Sequence, residues 1–267
     1  MNPPFVRDSA GQLDAQSRGH VAVCGSHGGL YPAWLAARAG VRAVVFNDAG
    51  IGRSAAGVGG VYWLGGIGIA ACAVDFQSAR IADGADMAAH GVLSTVNDAA
   101  AALGCRPGQP VREAVAHLAH AHAPHALTIP DIGETRAAIA NSGHRPAWAL
   151  DSVALVEPRD ARAIVISGSH GALLGGKRDS FLDVEVFAAF FNDAGGGKDG
   201  AGFARLPILD ERGIAAATVW CGSARIGDGR STYEDGVLSR VNETGARLGI
   251  AEGMSARAAV ARLLGLA

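Results

Sequence analysis

The chain has 267 residues, 49% hydrophobic and 18% charged, with a formal net charge of -2. This is ample core material for one large domain or two modest halves, and the near-neutral balance gives no electrostatic reason to expect nucleic acid or an anionic membrane surface as partner. Cys24, Cys72, Cys105 and Cys221 show no CxxC spacing and the start lacks a basic segment followed by an apolar one, so a cytoplasmic protein with reduced thiols is expected.

The chain repeats itself. Copies align from Asp8-Ser9 with Asp151-Ser152 at an offset of 143, which becomes 145 after a two-residue insertion near Leu174-Gly175. The expected fold is α/β: two pseudo-symmetric β-α-β-α-β-α repeats with mainly parallel sheets, covering 8–120 and 151–267, joined by a His-containing connector at 121–150. In such sheets ligands bind beyond the carboxyl ends of the strands, where the repeated polar motifs are expected to converge.

In chain order, the first motif is Gly25-Ser26-His27-Gly28, in which the glycines allow a sharp turn and close backbone approach to a ligand, Ser26 offers a hydroxyl and His27 a base. Next comes Phe46-Asn47-Asp48-Ala49-Gly50, followed by Arg53. Asn47 and Asp48 suit either a self-bonded turn or a binding site. The stretch from Ser54 to Val74 carries no charge and has the length of a membrane span, but its counterpart from Asp199 to Val219 is charged, so a buried segment or an oligomer contact around 58–69 is expected instead. The third motif, Ser78-Ala79-Arg80-Ile81 with Asp83, gives an arginine fork suited to a carboxylate or to pairing with Asp83 itself. Asp86 reads as an N-cap, and Gly91, Ser94 and Asn97 read as one face of a packed helix.

His117, His120, His122, His125 and His144 lie in or beside the connector, but no carboxylate or cysteine completes a metal pattern, so no metal is expected. Glu134 to Ile139 reads as a short helix. In the second copy, 163–167, 186–191 and 214–220 are apolar runs suited to buried parallel strands. They end in Gly168-Ser169-His170-Gly171, Phe191-Asn192-Asp193-Ala194-Gly195 and Ser223-Ala224-Arg225-Ile226 with Asp228. Residues 171–177 match a phosphate loop until Arg178 replaces the required Ser or Thr, so neither a nucleotide site nor any other cofactor is expected. Lys198 matches Arg53, and as one of two lysines among 23 cationic residues it suggests a compact or titratable amine. Ser231 with Glu234 predicts a capping box opening a helix over 231–248.

Together these residues point first to a metal-independent hydrolase of a small polar amide or cyclic amide. Ser169 or Ser26 would be nucleophile, Lys198 or His170 base, with His27 and Asp193 as further catalytic candidates and Arg225 stabilising the oxyanion. Asn192, Ser223, Arg225, Asp228, Asn47, Asp48, Arg53, Ser78, Arg80 and Asp83 would bind a small polar or anionic substrate. Two alternatives differ in class: an isomerase, racemase or decarboxylase moving a proton next to a carboxylate, or a non-catalytic small-anion-binding protein. A paired-thiol racemase is disfavoured because Ser167 stands opposite Cys24. The chain is expected to act as a homo-oligomer.

Overall fold

The computed structural model describes residues 3–122, 129–141, 145–178 and 182–266. The first half runs β1 (Phe5–Arg7), β2 (Val21–His27), α1 (Leu30–Ala39), β3 (Ala43–Asn47), α2 (Gly59–Gly66), β4 (Ala70–Val74), α3 (Gly84–His90), β5 (Leu93–Val96), α4 (Asp98–Ala102) and α5 (Val111–Leu118). The second runs β6 (Arg136–Asn141), β7 (Pro146–Leu150), β8 (Ile164–His170), β9 (Ala188–Asn192), α6 (Arg205–Glu211), β10 (Ala215–Val219), α7 (Gly229–Glu234), β11 (Leu238–Val241), α8 (Glu243–Arg247) and α9 (Ala256–Leu263).

Each half is one sheet. The strand orders are β1-β2-β3-β4-β5 and β11-β10-β9-β8-β7-β6. Pairing is parallel from β1 to β4 and from β7 to β10, whereas β5, β11 and β6 join antiparallel at edges. Central strands are buried on both faces, which is why they read as continuous apolar runs. Val21 and Val23 of β2 enter the core covered by α3, α4 and α5, and alternate residues Ala22 and Cys24 enter the core under α1 and α2.

Several local expectations are revised. Residues 136–141 form a strand rather than a helix, so the end of the connector belongs to the second sheet. The helix expected over 231–248 breaks into α7, β11 and α8, with Gly236 packed where a Cβ would lie 2.2 Å from the Thr232 carbonyl. Asp228 and Asp83, not Ser231 and Asp86, are the N-caps, because each helix begins three residues earlier. Ser94 and Asn97 do not share a helix face: Ser94 lies in β5 and Asn97 caps α4, accepting from Ala71 and Ala100 and donating to the Val61 and Ile69 carbonyls. Asn242 plays the same part in the second half.

The halves meet carboxyl end to carboxyl end about an approximate twofold axis. Arg53 N–H donates to the Cys221 carbonyl at 2.8 Å, and its repeat partner Lys198 donates to the Phe76 carbonyl at 2.9 Å. Gly50 and Gly195 cross on this axis, each with φ near +75° (73° and 75°) and each so close that a Cβ would lie 3.2–3.3 Å from the other's Cα. Such reciprocal contacts are the signature of an isologous interface, here built within one chain. The uncharged 54–74 stretch supplies a 3-10 turn, α2 and β4, and no helix among the described residues is long and apolar enough to cross a membrane.

Candidate functional site

The repeated polar residues divide into those that hold the frame and those that face a cavity. Asn47 Nδ2 donates to the Ala79 carbonyl and its Oδ1 accepts from Ala49, and Asn192 repeats both bonds with Ala224 and Ala194. Asp48 accepts from Gly50 and Phe76, as Asp193 accepts from Gly195 and Cys221. Burial raises the Asp48 carboxyl above its ordinary range, while these N–H donors oppose that rise. Ser78 and Ser223 each tie the start of their loop to the following edge strand. The first glycine of each GSHG motif admits protein backbone rather than a ligand: a Cβ on Gly25 would lie 2.7 Å from Asp83 N, and one on Gly168 2.3 Å from Asp228 N.

The cations also have protein partners. Lys198 Nζ bonds both oxygens of Asp86 at 2.9 and 3.1 Å, and Arg53 faces Asp235 at 3.6 Å. Arg80 contacts Asp86, Asp83 and Asp199. The backbone N–H of Arg80 and the Lys198 and Arg80 cations hold the Asp86 carboxyl below its ordinary range, against the opposing effect of burial. Ser231 takes the place of Asp86 in the second copy, accepting from Arg225 N as Asp86 accepts from Arg80 N, and donating its O–H to Asp235.

A cavity of about 620 Å³ opens at the strand ends. Of the residues singled out from sequence, Ser26, His27, Ser169, His170, Arg225 and Asp228 line it; Asn47, Asp48, Arg53, Ser78, Arg80, Asp83, Asn192, Asp193, Lys198 and Ser223 do not. Both halves contribute to one cavity. The space equivalent to its Asp151 and Gly227 corner lies over Asp8 and Ala82, and there the turn Leu174–Gly176 packs in, with Gly175 N–H bonded to the Ala82 carbonyl at 2.7 Å. The two-residue insertion therefore falls where the two sides differ.

The imidazoles are held alike. Gly29 N–H donates to His27 Nδ1 at 3.1 Å and Ala172 N–H to His170 Nδ1 at 3.3 Å, so each neutral ring carries its proton on Nε2. Burial lowers His27 to about 4. Burial, the Arg205 charge and His27 lower His170 to about 3. At neutral pH the pair consists of two uncharged hydrogen-bond donors. Ser26 and Ser169 hydroxyls accept from Ala10 and Val153 at 2.9 and 3.0 Å and keep their own protons to donate. Arg225 leans on Asp228 through Nε and Nη2 at 3.0 and 2.8 Å.

The cavity also holds groups not singled out from sequence: Glu134, Asp151, Ser152, Ser9 and Tyr31. Burial and the neighbouring Asp151 charge raise the Glu134 carboxyl to about 7, with the Ser152 hydroxyl as the opposing influence. The Asp151 carboxyl is held in place, accepting from Thr135 N and Oγ1 at 2.7 Å and from Gly229 N at 3.1 Å. Ser9 and Ser152 were visible as a repeated pair, whereas Glu134 precedes the repeat and has no twin to mark it. Leu30, Tyr31, Leu35 and Ile132 add apolar surface to the cavity lining. Among the described residues no group of three His, Cys, Asp or Glu side chains is arranged to hold a metal ion, and His125 and His144 lie outside those residues. Comparison with protein-family models, curated proteins and solved structures finds no match for this chain.

Proposed function

We propose that the chain is an acid–base enzyme acting on a small carbonyl compound that carries an anionic or polar head and an apolar substituent. The observation that carries this reading is the convergence, in one cavity, of the Glu134 carboxyl with two imidazole N–H donors. A carboxyl that titrates near 7 can take a proton and return it at physiological pH. In the reaction we favour, Glu134 removes the proton from the carbon next to the carbonyl or carboxylate. The electron pair moves onto oxygen, where His27 and His170 donate Nε2–H to the developing charge. Reprotonation by the neutral Glu134 at a neighbouring carbon of the enolate, rather than at the carbon that lost the proton, completes an isomerisation. Arg225 orients the head group, and Leu30, Tyr31, Leu35 and Ile132 receive the apolar part.

Hydrolysis of an amide or cyclic amide is the second reading, favoured by the presence of the Ser152 hydroxyl in the same cavity as Glu134. In that reading Ser152 would be the hydroxyl nucleophile and Glu134 its base, with the imidazoles as oxyanion donors. Ser26 and Ser169 remain alternative nucleophiles. In both readings the base is Glu134, because Lys198 is paired with Asp86 away from the cavity and His170 presents a proton rather than a lone pair.

The deciding experiment incubates the protein in D₂O with a panel of 2-substituted carboxylates and cyclic imides and follows products by NMR. Deuterium entering an unbroken substrate, lost in Glu134→Gln, supports proton transfer. Cleavage without carbon exchange supports hydrolysis. Ligand-induced thermal shifts with neither reaction would leave the anion-binding reading. The proposed enzyme is cytoplasmic, in keeping with its four free cysteines, and self-associates through α2, where Tyr62 is 58% exposed.

A further inference from the structure

Arg205 opens α6 and is only 3% exposed. Among the described residues it forms no ion pair, and its Nη1 is buried without a hydrogen-bond partner. Its guanidinium carbon lies 5.1 Å from the Phe191 ring centroid. Burial alone lowers this cation to about 10. An unpaired buried charge is costly, and a neutral residue of similar length would fill the space at lower cost.

What the arginine does becomes visible by overlaying the halves. In the first, Gly29 N–H holds His27 Nδ1, while the Gly29 carbonyl is held by Ala33 N–H at 3.2 Å in the first turn of α1. Gly60, the repeat partner of Arg205, donates its backbone N–H to the Gly28 carbonyl at 2.9 Å. A Cβ on Gly60 would lie 2.2 Å from the Gly29 carbonyl, so the helix leaves no room for a side chain. In the second half a turn replaces that helix. Arg205 donates its backbone N–H to the Gly171 carbonyl and its Nε–H to the Ala172 carbonyl, both at 2.9 Å, and Ala172 N–H holds His170 Nδ1. One side chain does the work of a helical turn.

We propose that Arg205 is a positioning residue for His170, fixing the Ala172 peptide so that the imidazole presents Nε2–H to the cavity and placing a positive charge behind the ring. The functional meaning rests on our reading of the two imidazoles as donors. The added charge makes His170 N–H the more acidic of the two and therefore the stronger donor to an oxyanion. The charged and titratable groups acting on His170 are Arg205 from α6 and His27 from β2; Glu134, Asp151, Arg225 and Asp228 share its cavity.

The test reads the ring itself, so its failure is distinguishable from failure of the Glu134 chemistry. Two-bond proton–nitrogen spectra of ¹⁵N-histidine-labelled protein are recorded across pH for the wild type and Arg205→Met, with His170→Gln to assign the resonance. We expect a single Nε2–H tautomer of His170 in the wild type. In Arg205→Met we expect a tautomer mixture and a titration midpoint raised by about one, a tenfold gain in proton affinity, with His27 unchanged. A folded Met variant with the wild-type His170 tautomer and midpoint overturns the proposal. Should Arg205→Met not fold, Arg205→Lys keeps the charge without the Nε–H donor. It should preserve the midpoint and lose the tautomer preference, and an unchanged tautomer overturns the proposal.

Discussion

The first half secures the peptide after its motif histidine with a helix; the second secures the corresponding peptide with one arginine. Elsewhere the halves agree closely: Asn47 with Asn192, Asp48 with Asp193, Ser78 with Ser223 and Asn97 with Asn242 make equivalent bonds. The contrast separates two kinds of repeated residue. Polar groups retained in both copies mostly satisfy buried backbone, which any sheet of this shape needs. Residues that differ, or that have no counterpart, make the shared cavity asymmetric, beside the repeated serines and histidines that line it. Glu134, which precedes the repeat, is the clearest case.

The largest expected effect comes from that unrepeated residue. Glu134→Gln should lower turnover on any substrate found by about 100-fold or more, the usual scale for losing a general base. Its folded value of about 7 lies above the ordinary 4.5, so the folded chain holds this proton more tightly than the unfolded chain. The resulting stability is full below about 4.5 and is lost as pH rises through about 7. Glu134→Gln should remove that decline, as measured by denaturant unfolding at pH 5 and pH 8; an unchanged pH slope counts against a half-buried, titrating Glu134.

Frame residues should behave as twins. Asn97→Ala and Asn242→Ala each remove an amide that bridges several buried backbone groups, and each should cost about 3 kcal/mol in unfolding experiments. A variant that costs little in one half and much in the other would break the equivalence. Gly195→Ala should cost about 2 kcal/mol, because it places a Cβ at positive φ and 2.7 Å from the Phe76 ring. Gly50→Ala meets Cys221 Sγ and Gly195 less closely, at 3.2 Å, and should cost less.

Lys198→Ala should have the smallest effect, about 1 kcal/mol, since Arg80 still faces Asp86. Turnover should persist; its loss would restore the lysine as a candidate base. The Asp86 carboxyl lies below its ordinary 3.8 in the folded chain. Its stabilisation is therefore present above pH 3.8 and is lost as pH falls through its lower folded value, and Lys198→Ala should shrink this acid-side loss.

Much of the fold was legible because buried parallel strands leave apolar runs, and the runs at 163–167, 186–191 and 214–220 coincide with β8, β9 and β10. The edges were not. In 231–248, polar residues at helical spacing concealed the four-residue strand β11, whose pairing with β10 is a tertiary fact. Repetition located the strand ends and six cavity residues, but it weighted frame and site equally. Nothing local in Gly133-Glu134-Thr135 announces a carboxyl enclosed against Asp151, since that depends on where the second sheet places its edge.

The crossing of Gly50 and Gly195 makes the two halves partners of the kind found in symmetric dimers, yet they share one polypeptide. In a dimer of identical subunits, every change to a loop is made twice: an insertion that seals one cavity seals its mate, and a glutamate added beside one is added beside both. A continuous chain is released from that rule. The two residues gained near Leu174 alter one side alone, leaving the opposite cavity free to collect Glu134, Tyr31 and Arg225 from three different parts of the sequence.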